Sequence, residues 1–338
     1  MVMNRLGIVG CGITGAVTAM LLKHEIPHLN IVILEKSKGT GGRMSTSRSS
    51  FGSSVDLGAQ FITKTCNLTK TQEKFYHHLL EDGILQPMPE NIEGLRSISS
   101  AVGHFICPQG SGSLVKYFLK KSECEILFEH KVTKISSSNE KWKTSCENGT
   151  THEFDALILT IPVPQVLQLD GLTPYLENDQ LENLKSVEYC SRYAVGFFYK
   201  NEPSFFKDVL WCAKFLSDDI IRYCSLDVHK RKATTLPSVV FHTSKEFGKA
   251  YIDQDTSVVQ DIIVQRIQEL FPQMPIPEEI KCHKWRYSQV EKNYCSEQGC
   301  TVLSHKPLLI CGGDGFFHSN FEGCFASAES IVKKTVKK

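Results

Sequence analysis

Leu6-Gly7-Ile8-Val9-Gly10-Cys11-Gly12-Ile13-Thr14-Gly15 is the stretch that decides the fold. Leu6 to Val9 reads as a short apolar strand, and from Ala16 to Lys23 apolar residues recur at helical spacing. Between them the glycines follow the pattern G-x-G-x-x-G. Gly10 permits a tight turn, Gly12 lets backbone approach a pyrophosphate, and Gly15 lets the helix press on the strand. The free N–H groups that open the helix then face an anion. A second strand, Asn30 to Leu34, ends in Glu35, twenty residues beyond Gly15. A carboxylate there accepts both ribose hydroxyls of an adenosine and repels a 2′-phosphate. Strand, helix and strand in this order open a parallel α/β sheet.

The rest of the chain extends that sheet and interrupts it. At 338 residues it is too long for one ordinary core, and 41% hydrophobic with 22% charged residues excludes disorder, collagen and coiled coil. Ala156 to Thr160 is apolar up to its closing threonine, a strand buried on both faces that stops at Pro162 and Pro164. Leu308 to Cys311 is another, followed by Gly312-Gly313-Asp314-Gly315 and a helix from Gly323 to Lys334. Further strands are expected near 125–129, 132–136 and 141–146, and helices over 72–85 and 112–121, while 36–63 reads as ordered loop. From Arg192 the style changes. Arg192–Tyr199, Val209–Leu216, Ile220–Leu226 and Ser238–Thr243 alternate like antiparallel strands, and Ser257 to Phe271 forms an amphipathic helix. The expected fold is α/β: a discontinuous Rossmann-type domain of residues 1–70, 101–165 and 290–338, with a mixed, antiparallel-rich domain of 71–100 and 166–289.

Charge and cysteine usage exclude several functions. Lys and Arg number 38 against 37 acids, so the basic excess of a nucleic-acid binder is missing. Lys333, Lys334, Lys337 and Lys338 read as a solvated helix end. No run of eighteen apolar residues is present to span a membrane. Leu6 to Leu22 is apolar enough for a signal peptide, but cleavage there would destroy the glycine pattern. The 13 cysteines, odd in number and scattered, suit reduced thiols and a cytoplasmic protein. Export would instead bring the sequons at Asn67 and Asn148 into play. Neither Cys295 with Cys300 nor Cys282 with His283 has zinc spacing, so no metal is expected.

The glycine fingerprint suits FAD and NAD alike, and Gly41-Gly42-Arg43-Met44 discriminates. The loop resembles that of amine-oxidase-class flavoproteins, in which a glycine pair and a fixed cation lie beside the pyrophosphate and flavin, and which nicotinamide dehydrogenases generally lack. Asp56-Leu57-Gly58-Ala59-Gln60-Phe61 supplies the polar groups and small residues that a backbone-to-ring contact requires. Asp314, after its strand, is placed to bond ribityl hydroxyls. The helix N-terminus that follows would lie against the flavin pyrimidine and stabilise negative charge there, with Glu322 turned outward.

These motifs resemble the renalase family of FAD-dependent oxidases, over nearly the whole chain. The likeness rests on Gly42-Arg43-Met44-Ser45-Thr46, Asp56-Leu57-Gly58-Ala59-Gln60, Thr160-Ile161-Pro162-Val163-Pro164, Ser191-Arg192-Tyr193-Ala194, Lys284-Trp285-Arg286-Tyr287-Ser288-Gln289, and Cys311-Gly312-Gly313-Asp314-Gly315-Phe316 with Ser319-Asn320-Phe321. It implies the fold of p-hydroxybenzoate hydroxylase and the amine oxidases, with FAD held non-covalently. The implied FAD contacts are Thr14, Glu35, Arg43, Gln60, Phe61 and Asp314. Gly10, Gly12, Gly15, Gly42, Val132, Asn320 and Gly323 complete the candidate cofactor site. Two positions depart from the pattern: Glu35 stands where aspartate is also usual, and Phe61 lacks the hydroxyl of a tyrosine found in relatives.

The resemblance also implies a reaction. Renalases oxidise the 2- and 6-dihydro isomers of NAD(P)H to NAD(P)⁺ while O₂ becomes H₂O₂, so the implied partners are a small dinucleotide and O₂. Loss of hydride from a dihydropyridine leaves an aromatic cation, and no base need remove a proton. No catalytic residue is assigned, in keeping with the lack of a nucleophile–histidine–acid set in the sequence. His242, His283 and His305 read as core or surface residues, in a pocket shaped by aromatics. The alternatives are a flavin amine oxidase, which needs an aromatic pair flanking a substrate nitrogen, and a secreted signalling protein with structural FAD.

Overall fold

In the computed structural model, which describes residues 3–95, 99–231, 236–294 and 298–336, the chain divides into two compact units. Cys295, Lys337 and Lys338 lie outside the described residues. The first unit comprises Met1–Gly42, Leu114–Tyr189 and Gln289–Lys338. Its centre is a six-stranded sheet in the order Cys300–His305, Leu308–Gly312, Ala156–Leu159, Arg5–Val9, Asn30–Leu34 and Glu125–Leu127. All neighbours are parallel except the Cys300–His305 pair with Leu308–Gly312. The apolar runs are central: Leu6 pairs with both Ala156 and Ile31, and Leu159 with Cys311. Helix Ile13–Glu25 buries nine of its residues, among them Gly15, Ala16 and Ala19, and packs against the last helix, Phe321–Val336. A three-stranded antiparallel sheet, Val132–Ser138, Lys141–Cys146 and Thr151–Phe154, shares a core with Val9, Val32 and Leu157. Trp142 anchors that core. It is fully buried, its Nε1 donates to the Leu308 carbonyl at 2.9 Å, and its ring meets Tyr175 edge-on.

The second unit comprises Arg43–Ser113 and Cys190–Ser288. Its main sheet runs Glu279–Lys292, Glu188–Phe198, Ser238–Thr243, Ile221–Leu226, Ala213–Phe215 and Ile92–Glu93. The first two strands are the ones that carry the chain across the unit boundary. Helix Thr256–Leu270 turns Val259, Ile263 and Ile267 inward at i, i+4, i+8, with the Asp255 side chain accepting from the Ser257 N–H as a cap. Helix Lys70–Glu81 starts two residues before the expected 72, because Thr69 and Gln72 form a reciprocal capping box. It ends at Glu81, ahead of Gly83, whose φ of +66° no longer suits a helix.

The unit boundaries fall elsewhere than the sequence expectation, for reasons of packing. Val55 and Leu57 join the core of Ala194, Phe198 and Val240, which takes 43–70 into the second unit. Val166, Leu169, Leu184 and Val187 join the Trp142 core, which keeps 166–189 in the first. Within 36–63, expected as loop, Thr46–Arg48 and Ser54–Asp56 pair as an antiparallel hairpin. Of Val209–Leu216 only Ala213–Phe215 is strand, since Trp211 turns into the aromatic core against Phe271. Strand Glu279–Lys292 has no counterpart in the sequence expectation: it is a sheet edge, and Lys281, Lys284 and Arg286 obscure any alternation. Replacing Trp142 by Ala should cost about 3–5 kcal/mol, read as a lower denaturant midpoint with unchanged slope.

Candidate cofactor site

In the first unit the candidate residues gather at the carboxyl ends of the parallel strands, where open α/β sheets bind ligands. Gly10 follows Val9, Glu35 follows Leu34, and Asp314 lies two residues beyond Gly312. Gly10 holds φ at +107°, and its N–H donates to the Leu34 carbonyl at 2.9 Å. A Cβ on Gly15 would fall 2.2 Å from the Gly10 carbonyl oxygen, so the helix can meet the turn only through glycine. A Cβ on Gly12 would meet nothing within 4 Å. Backbone there faces open space, at a helix start whose cap residue offers no side-chain bond. That cradle fits a pyrophosphate. Gly42 returns to the same point, its Cβ position 3.7 Å from the Gly12 Cα, and the Gly41 N–H donates to the Cys11 carbonyl.

Glu35 is buried and ties the turn to the strand end. Its Oε2 accepts from the Cys11 N–H and its Oε1 from the Ser37 N–H, both at 2.8 Å, and each oxygen keeps a lone pair. The Glu35 carbonyl accepts from the His130 N–H, two residues before the buried Val132. Asp314, also buried, accepts from Ser319 Oγ at 2.6 Å and from the Tyr189 hydroxyl at 3.3 Å. Asn320 caps the last helix. Its Oδ1 accepts from the Gly323 N–H at 2.7 Å, so that helix starts at Phe321 instead of Gly323. Thr14 is buried in the first turn of its helix.

Arg43, Gln60 and Phe61 belong to the second unit. Arg43 donates from Nη1 to the Ser288 carbonyl, and its own carbonyl accepts from the Ala59 N–H. A Cβ on Gly58 would sit 1.9 Å from that carbonyl, so this loop too is closed by backbone contact. The Gln60 amide is fully committed. Its Nε2 donates to the carbonyls of Asp56 and Gly58, and its Oε1 accepts from Lys230 Nζ at 3.0 Å and Ser225 Oγ at 3.1 Å. Phe61 meets His104 edge to face.

Beneath this loop lies a buried charge cluster that sequence reading misses. Asp56 accepts from Thr46 Oγ1, from the N–H and hydroxyl of Ser111, and from Arg231. Arg231 also pairs with Asp227 at 3.1 Å, and Lys230 pairs with Asp227 at the same distance. Burial works against the Arg231 charge, and Asp227 and Asp56 outweigh it, so its proton is held more tightly than usual. Asp227-Val228-His229-Lys230-Arg231 carries three charged residues in five, yet Lys230 has no exposed surface. The His242 ring lies 3.4 Å from Gln60 Nε2; burial, then the charges of Arg192 and Lys230, push it down to about 3, so it is neutral. His283 packs on Trp285, whose Nε1 donates to the Leu57 carbonyl, and His305 is exposed.

The twelve described cysteines are all free, and among the described residues no group of His, Cys, Asp and Glu could hold a metal. No described helix is long and apolar enough to cross a membrane.

Residues 93–331 match the family of flavin containing amine oxidoreductases, and residues 8–79 the NAD(P)-binding Rossmann-like domain. Renalase of Mus musculus is 40% identical over 339 residues, covering 98% of both chains. The chain belongs to the renalase family of flavin-containing amine oxidoreductases. As a family member it is an FAD-dependent oxidoreductase of the oxidase type. Two solved structures share its fold at 14% identity: one from Exiguobacterium sp. 255-15, provisionally named a protoporphyrinogen oxidase (TM-score 0.75, covering 100% of this chain and 99% of that one), and one from Pyrococcus furiosus (TM-score 0.65, 98% and 97%). The Rossmann-type and antiparallel-rich architecture of the renalase family is therefore the one expected from sequence.

Arg231→Met would leave the buried Asp56 without its cationic partner and Asp227 with Lys230 alone. Such a change should lower stability by about 3–5 kcal/mol, measured by chemical denaturation, whereas Lys214→Met at an exposed ion pair should change it by less than about 1 kcal/mol.

Proposed function

We propose that this protein is an oxidase of the 2- and 6-dihydro isomers of NAD(P)H, releasing NAD(P)⁺ and H₂O₂. In this reading the N–H groups at Gly12 and Thr14 hold the FAD pyrophosphate, and Glu35 its adenosine ribose. Val132 lines the adenine, Asp314 takes the ribityl hydroxyls, and the helix start at Asn320 and Gly323 faces the pyrimidine. Gly10, Gly15 and Gly42 keep the cradle open. Arg43, Gln60 and Phe61 border the ring, Gln60 by its main chain because its amide is spent. Bound non-covalently, FAD would supply the hydride acceptor and the route by which the electrons reach O₂.

The observation that carries the reading is the commitment of the polar groups around Gln60. Asp56, Asp227, Lys230 and Arg231 pair with one another, and His242, held neutral far below its usual range, is a feeble base. A surface of this kind suits a donor that needs orientation and no proton acceptor. Hydride loss from carbon 2 or 6 of a dihydropyridine meets that condition, since the product is an aromatic cation. The free thiols support a reducing compartment, the cytoplasm.

Anaerobic mixing tests the reaction. The purified chain should be yellow, and 2- or 6-dihydro-NAD(P) should bleach it rapidly, with ordinary NAD(P)⁺ as product. NADH, NADPH and catecholamines should bleach it far more slowly, and air should restore the colour with release of H₂O₂. Faster bleaching by an amine would transfer the assignment to amine oxidase. Glu35→Ala should weaken FAD binding by about 1.5–3 kcal/mol through lost charge-assisted bonds, read by titrating the apoprotein with FAD. Asp314→Ala should purify mainly as folded apoprotein.

A further inference from the structure

We propose that Ser319 is a positioning residue for the cofactor, one that orients the Asp314 carboxylate through a hydroxyl whose own rotation is locked. The inference rests on the reading of Asp314 as acceptor for the ribityl hydroxyls. Ser319 Oγ stands 2.6 Å from Asp314 Oδ2, and the Val290 N–H donates to the same Oγ at 2.7 Å. A hydroxyl has one proton and accepts through its lone pairs. A main-chain N–H cannot swivel, so Val290 fixes the accepting side of Ser319 and turns its proton onto Asp314. Tyr189 holds the other oxygen, Oδ1, at 3.3 Å. Gly315 leaves the path clear, because a Cβ there would fall 2.8 Å from the Tyr189 hydroxyl.

The surrounding turn is also held by bonds that do not involve Ser319. The Tyr294 N–H donates to the Gly315 carbonyl at 2.7 Å, and the Tyr294 ring packs on Phe316. The Gly313 N–H donates to Ser327 Oγ at 2.8 Å. What Ser319 adds is the direction of a carboxylate. Polyol hydroxyls spaced along a flexible chain are bound tightly only if the acceptor's free lone pairs already point at them, and an acceptor that rotates loses affinity to ordering. Tyr189 and Ser319 hold Asp314 from both oxygens and so fix the plane of its carboxylate.

The test is titration of the full-length apoprotein with FAD, followed by flavin fluorescence, in four chains: native, Ser319→Ala, Asp314→Ala and the double variant. Ser319→Ala should bind FAD about tenfold more weakly, the size of one charge-assisted hydrogen bond, at an unchanged melting temperature of the apoprotein. Ser319→Thr should restore most of the affinity, and Tyr189→Phe should lose less than Ser319→Ala. In the Asp314→Ala background, Ser319→Ala should change affinity by less than about twofold, because the group it acts through is gone. An equal loss in both backgrounds would overturn the positioning role, and so would unimpaired binding by Ser319→Ala when Asp314→Ala binds poorly. Binding by Asp314→Ala as tight as native would instead remove the ribityl reading, and the proposal with it.

Discussion

The second unit depends on one carboxylate. Asp56 sits at the end of a short hairpin, and its two oxygens hold Thr46, Ser111 and Arg231, which come from three separate stretches of chain. Through Arg231 it reaches Asp227, and through Asp227 it reaches Lys230 and so the amide of Gln60. Two anions and two cations make the cluster neutral, which is the condition for burying four charges. Its worth lies less in net stability, since a well-packed apolar set of similar volume could match it, than in the single arrangement it permits. Arg231 meets Asp56, and Lys230 meets the Gln60 amide, only when the 56–61 loop lies as observed. The loop bordering the proposed flavin ring is thus set by electrostatics at a distance of two side chains.

The first unit solves a similar problem by steric means. At Gly15 against Gly10, the absence of a side chain lets main chain touch main chain, and the second unit repeats the device at Gly58 against Arg43. Polar side chains then finish what the glycines begin. Glu35 binds two N–H groups of neighbouring turns, and Asn320 binds one at the head of the last helix. A candidate ligand contact here is also a structural bond, so replacing Glu35 alters the shape of the turn as well as the charge it offers.

What the sequence discloses follows from the range of the forces involved. The dinucleotide turn is legible because glycine sterics, strand periodicity and the position of Glu35 are all local. Ala156–Leu159 and Leu308–Gly312 are legible because strands covered on both faces read as uninterrupted apolar runs. The 46–56 hairpin is hidden by its serines and glycines, and strand Glu279–Lys292 by the charges of an edge. Asp227, Lys230 and Arg231 are hidden for a different reason. Whether an ion is solvated or buried depends on partners that lie far away in the chain, as Arg231 and Asp56 do at 175 residues, and no spacing rule reports that. Gln60 reads in sequence as polar and well placed, but only its hydrogen bonds reveal that the amide is already engaged.

Cys11 occupies the middle of the glycine turn, with its side chain fully buried. Burial, and then the nearby Glu35 charge, push that thiol far above the range in which it would ionise. Peroxide attacks thiolates, and a cysteine kept protonated and dry is chemically quiet. Among the described cysteines only Cys66 is exposed. An oxidase whose proposed turnover releases peroxide therefore keeps nine of its twelve described thiols buried, where its own product cannot readily reach them, and the cysteine of the proposed pyrophosphate turn is among the best shielded.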